Sequence, residues 1–185
     1  MSNWDLDPAH SEIEFAVRHM MVTTVRGQFH KFAVTTNFDE AHPELSTVEA
    51  RIDVSSIDTG VDARDMHLRS EDFFDAAKYP ELVFRSTNIR KVGDDYTIDG
   101  ELTMHGQTAP VTLDTEIGGI VPDMRGGRRA GFSASTKISR KDWGLTWNGA
   151  LESGGVLVGD EVKITIDVAV VQAEAAPAKE PAGVA

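Results

Sequence analysis

The chain has 185 residues, no cysteine and a formal net charge of −12 at neutral pH, with 26% of its residues charged and a pI near 4.8. This length fits one domain with a sizeable core. The acidic balance argues against nucleic-acid binding, which needs a basic face, and the missing cysteines exclude disulfides, thiolate metal sites and a cysteine nucleophile.

The start, MSNWDLDPAHSEIEF, carries neither the basic nor the apolar region of a signal peptide. No stretch approaches the roughly 20 apolar residues of a membrane-spanning helix. The expectation is therefore a cytoplasmic protein. After a turn-like lead-in at Trp4–Pro8, residues 10–19 (HSEIEFAVRH) alternate, with Ile13, Phe15, Val17 and His19 on one face. Residues 20–26 are mostly apolar and end at Gly27. Residues 28–38 place Phe32, Val34 and Phe38 together, and residues 47–57 place Val48, Ala50, Ile52 and Val54 inward.

Residues 62–84, DARDMHLRSEDFFDAAKYPELVF, break this rhythm. Ala63, Met66, His67, Ser70, Phe73/Phe74 and Ala77 recur at offsets of three, four and seven, which predicts one or two short helices over about 62–78. Asp62 is a candidate cap and Ser70 a second start signal. Tyr79-Pro80 ends the segment, because the residue before proline is pushed from the α region. Arg64, Asp65 and Arg69 form a charged rim. Such an insert either plugs one end of a barrel or covers a sheet edge.

Alternation then resumes. Leu82, Phe84 and Ser86 share a face, Gly93-Asp94 signals a hairpin, and Tyr96, Ile98, Leu102 and Met104 line the next strand. Val111, Leu113, Thr115 and Ile117 follow, then the glycine-rich loop 121–129, and then Phe132, Ala134, Thr136 and Ile138. Residues 143–155 read as a long loop anchored by two tryptophans. Val162, Ile164, Ile166, Val168 and Val170 alternate without a break. Residues 173–185 (AEAAPAKEPAGVA) lack any core-forming pattern and are expected to be a disordered tail after a 1–172 domain.

About eight strands with one apolar face each favour an all-β, elongated, eight-stranded antiparallel barrel, since closure removes the edges. A barrel of that size is either filled or holds one small ligand. Its expected lining mixes large groups (Phe15, Phe32, Phe84, Phe132) with small ones (Ala50, Ala134, Ser86), and composition alone leaves packed core and tunnel open. The six histidines show no metal-ligand spacing, so no metal is expected. No nucleophile elbow, Walker loop or dinucleotide fingerprint is present. Arg125 and Arg128 flank Gly126-Gly127, a weak anion-site pattern without a following helix.

The stretches HSEIEFAVRH, VRGQFHKF, RDMHLRSEDFFDAAKYPELVFRST, GELTMHGQTAPV, ISRKDWG and VGDEVKITID together resemble the YceI-like family of lipocalin-like, polyisoprenoid-binding proteins. The resemblance runs from about Trp4 to Gln172. It implies a lipocalin-like barrel whose tunnel holds a polyisoprenoid, quinone-like or fatty-amide chain, with Arg64, Asp65, His67 and Leu68 on one family motif and Phe73, Phe74, Tyr79 and Pro80 on the next. The expected ligand-binding residues are Phe15, Val17, His19, Phe32, Ile52, Arg64, Asp65, His67, Leu68, Phe73, Phe84, Leu102, Phe132 and Ala134. A non-enzymatic lipid binder or carrier is expected, able to pair as a homodimer. The alternative is an enzyme acting on an isoprenoid-type chain with His67 or His19 as acid/base beside Asp65.

Overall fold

The computed structural model describes residues 4–124 and 126–172, so the expected tail at 173–185 lies outside the described residues. The strands are β1 (Asp5–Leu6), β2 (Glu12–His19), β3 (Thr23–Phe29), β4 (Phe32–Asn37), β5 (Thr47–Asp53), β6 (Ile57–Asp58), β7 (Glu81–Val92), β8 (Asp95–Met104), β9 (Gln107–Pro122), β10 (Arg128–Ser139) and β11 (Val158–Gln172). One α-helix, α1 (Asp62–Arg69), lies between β6 and β7. All pairings are antiparallel, in the order β4-β5-β7-β8-β9-β10-β11-β2-β3-β6, with β1 added on β11.

Among the described residues eleven strands replace the expected eight. Residues 20–22 form a turn that separates β2 from β3, and a corner at His30-Lys31 separates β3 from β4. Two further strands, β1 and β6, are only two residues long and leave no periodic signal. Gly27, read as a break, sits inside β3 opposite Phe15. The ladder curls but does not close by continuous pairing. The bent segment of β5 and β6 pairs with β4 and β7 in its first half and with β3 in its second, joining the two ends of the ladder at the α1 side. At the opposite side Trp4 bridges Thr36 while β1 pairs with β11, tying β4 to β11.

Alternation places one face of every long strand inside. The main core gathers Ile13, Phe29, Ile52, Val54, Ile57, Leu82, Phe84, Leu102 and Trp143 among others, and a second cluster of Trp4, Phe38, Ala130 and Val170 fills the end away from α1. Bulges change the phase where the barrel bends. The pairing of β7 with β8 shifts between Ser86 and Asn88, so the inward set moves from Leu82 and Phe84 to Ile89. The pairing of β9 with β10 shifts beside Gly119, whose left-handed backbone (φ 95°) suits the extra residue.

The helical insert is shorter than expected. α1 ends at Arg69, its cap position is Val61 rather than Asp62, and no side chain caps it. The Ser70 hydroxyl donates to His67 O and closes the helix end instead of opening a second helix. Turns follow, with Phe74 N–H bonded to Leu68 O and Ala76 N–H to Arg69 O. Adjacent Phe73 and Phe74 both face the interior from these turns. Met66, expected on the apolar face, is 64% exposed, whereas Asp65 is buried.

Candidate functional site

The inward faces enclose a cavity of about 270 Å³. Its wall runs from Leu68, Phe73 and Phe74 of the insert to Phe38, Pro43 and Val170 at the opposite end. Along β11 alone, the lining residues Val162 to Val170 span roughly 26 Å at about 3.3 Å per residue. Apolar side chains make up nearly all of the surface. Among the described residues, the polar types that enter it are Glu14, Thr36, Ser46, Tyr96, Thr115, Thr136 and Arg140.

The space depends on small residues set against large ones. Gly27 pairs directly with Phe15, and a Cβ there would collide with the Phe15 ring. Gly100 plays the same part for the Phe84 ring. Ala134 sits between Thr115 on β9 and Ile166 on β11, leaving room in the middle of the barrel.

Nine of the fourteen expected residues line the cavity: Phe15, Val17, Ile52, Leu68, Phe73, Phe84, Leu102, Phe132 and Ala134. The other five do not. Phe32, the first residue of β4, packs against the main core without reaching the cavity wall. His19 ends β2 at the hairpin turn, paired with Thr23 and Val158.

Arg64, Asp65 and His67 are occupied elsewhere. The Asp65 carboxylate, 6% exposed, accepts from Thr59 N (2.9 Å) and Thr59 Oγ1 (2.5 Å). Arg64 donates from Nε to Thr59 Oγ1 (2.7 Å) and from Nη2 to Thr59 O (2.8 Å). Arg69 reaches Ser55 O and Ile57 O, both at 3.0 Å. The charged rim therefore staples α1 to residues 55–59 rather than facing a ligand. His67 does not pair with Asp65. Its Nε2 lies 2.8 Å from Asp72 Oδ2, and its ring meets Phe73 and Trp147 edge-on at 5.1 and 4.7 Å.

Arg140 is a cavity-lining residue that periodicity does not mark. Its side chain is 5% exposed and donates to four carbonyls: Gly159, Leu145, Trp147 and Val158. Burial pushes its pKa below the ordinary guanidinium value, against a smaller opposing pull from Asp160. Trp143 next to it donates from Nε1 to Leu102 O (2.8 Å). Together they fasten the loop 144–158 over the α1 end. Arg128 is engaged with both Glu40 carboxylate oxygens and with Gln172, so it is not free for a phosphate. Among the described residues no three His, Asp or Glu side chains are grouped as metal ligands, and no helix is long and apolar enough to cross a membrane.

An antiparallel barrel of lipocalin-like form around an apolar cavity, with a helical insert at one end, places the protein in the class of all-β barrels whose interior is either filled by side chains or open to one small ligand. The model of the YceI-like domain matches residues 4–170, and the chain belongs to that family. It is similar to Protein YceI of Escherichia coli O17:K52:H18, 42% identical over 141 residues, which are 76% of this chain and 74% of that one. Protein YceI of Salmonella newport is 40% identical over 142 residues, 77% of this chain and 74% of that one. Among solved structures, Burkholderia cenocepacia BcnA superposes with a TM-score of 0.78 at 26% identity, covering 89% of this chain and 99% of its own. The Campylobacter jejuni YCEI protein gives 0.72 at 30% identity, with 85% and 90% covered. A polyisoprenoid binding domain from Saccharophagus degradans, implicated in plant cell wall breakdown, shares the fold at a TM-score of 0.62 and 16% identity, with 93% and 99% covered.

Proposed function

We propose that the protein binds and sequesters or carries a long-chain apolar lipid, of polyisoprenoid, quinone-like or fatty-amide type, in the barrel interior, without chemical turnover. The observation that carries this reading is the cavity itself: a continuous apolar wall from Phe73 and Phe74 to Phe38 and Val170, with small residues kept where large ones would fill it. The Saccharophagus degradans neighbour, described as a polyisoprenoid binding domain, supports the same class of guest. At about 25 cal/mol per Å², a chain that buries several hundred Å² gains on the order of 10 kcal/mol before ordering costs.

Acid–base chemistry by His67 or His19 gains no supporting observation. Neither ring lines the cavity, and His67 is held by Asp72. The test is mass spectrometry of an organic extract from natively purified protein. One lipid in stoichiometric, unmodified form is expected; a lipid-free extract, or steady conversion of an added isoprenoid, overturns the proposal. Residence in the cytoplasm and assembly as a homodimer are separate parts of the reading, measured by cell fractionation and by sedimentation equilibrium of the loaded protein.

A further inference from the structure

The hairpin between β2 and β3 ends in Met20, Met21 and Val22, which are 46%, 61% and 75% exposed. Met20 and Met21 both hold left-handed backbone, φ 50° and 63°, which a Cβ disfavours. At the turn between β8 and β9 the same two positions are filled by His105 and Gly106, and glycine eases that geometry. At the β2–β3 tip, two methionines stand where turn chemistry asks for asparagine or glycine, and their exposure means the core does not hold them there.

The tip does not stand alone. Met20 N–H bonds Leu157 O at 2.8 Å, Met21 Sδ packs against Gly155, and Val156 beside them is 43% exposed. Residues 19–25 and 153–159 contain no Asp, Glu, Lys or Arg, in a chain where 26% of residues are charged. The patch also continues the cavity wall. Val17 and Val158 line the cavity, and Val158 pairs with His19 immediately before the tip.

We infer that this tip is the surface by which the protein touches a lipid bilayer to collect or release its guest, an inference that rests on the lipid-carrier reading above. A second protein is a poorer fit. Four side chains fall far short of the roughly 800 Å² per partner that a stable protein interface buries. A bilayer needs no complementary shape, and flexible methionine side chains adapt to disordered acyl chains. The bilayer is a zwitterionic one, because the patch has no basic cluster and a net charge of −12 repels an anionic surface.

The double variant Met20→Asn with Met21→Gly tests this. It removes both apolar side chains and installs residues suited to left-handed backbone, so its melting temperature holds or rises. A dansylated polyprenol is offered to the full chain from phosphatidylcholine vesicles or from detergent micelles. The expected result is uptake from vesicles slowed at least tenfold in the variant, with uptake from micelles unchanged. Equal vesicle uptake by variant and wild type overturns the inference, as does equal slowing from both sources. If the wild type loads from micelles and not from vesicles, the docking inference falls while the carrier reading stands. If it loads from neither, the carrier reading itself fails.

Discussion

Replacing Ala134 with tryptophan separates a tunnel from a packed core. Ala134 faces the middle of the cavity of about 270 Å³, flanked by Thr115 and Ile166. In a solid interior the indole overpacks and costs about 1–3 kcal/mol. At 2–4 °C per kcal/mol for a domain of this size, that is a drop of roughly 2–12 °C, with or without lipid. In a tunnel the indole occupies open volume, so the delipidated variant melts at or above delipidated wild type. A ligand held at about 100 times its dissociation constant contributes roughly 2.7 kcal/mol. Loaded wild type then melts about 5–11 °C above its delipidated form, and the variant, which excludes the chain, shows no such gap. Paired scanning calorimetry of loaded and delipidated samples measures all four melts. An unfolded variant together with a wild type indifferent to delipidation refutes the tunnel.

The remaining predictions concern the closures and the acid limb. Asp65→Ala removes a buried acceptor from Thr59 N–H and Oγ1 and is expected to cost about 2–4 kcal/mol, read by urea denaturation; an unchanged midpoint refutes the staple. Arg140→Lys keeps the charge but not the planar fork that reaches four carbonyls, so it should be nearly as destabilising as Arg140→Met, about 3 kcal/mol. Full rescue by lysine would show that charge alone matters. Asp7 is drawn down to about 2 from an ordinary 3.8 by hydrogen bonds from Arg129 and then His10. A lowered folded-state pKa contributes stability above the ordinary value that is lost as pH falls through the folded one. The fall in melting temperature between about pH 4 and pH 2 should therefore be shallower in Asp7→Asn, and superimposable pH profiles would refute that assignment.

Strand faces were legible wherever alternation ran unbroken. Val162 to Val170, Phe132 to Ile138 and Val111 to Ile117 all point inward as their spacing requires. Legibility ended where pairing, not local pattern, decides. The move of the inward set to Ile89 follows from a register shift against β8, and the two-residue strands β1 and β6 exist only through partners distant in sequence. The turn at Met20 and Met21 escaped for a different reason, since its residues contradict its backbone conformation. In the insert, offsets of three and four marked a helix correctly but not its buried face. Asp65 goes inside because Thr59 waits there with two donors, a contact that helical spacing cannot express.

Different residues hold the barrel shut and line its interior. The charged residues of the specific motifs, Arg64, Asp65, Arg69 and Arg140, spend their hydrogen bonds on residues 55–59 and 145–159. Each therefore stabilises a closure at the α1 end, and only Arg140 of the four also touches the cavity wall. The cavity wall is made by Phe15, Phe84, Phe132, Ala134 and their neighbours, where any apolar residue satisfies the alternation and only its volume matters. A motif built from the first group identifies the container; the depth and bore are set by the second. Gly27 and Gly100 belong with that second group although they contribute no side chain, because a Cβ at either position would push Phe15 or Phe84 aside and so reshape the cavity. Single changes in size along β3, β8 and β10 thus reshape the cavity without touching the hydrogen bonds of the stapled end.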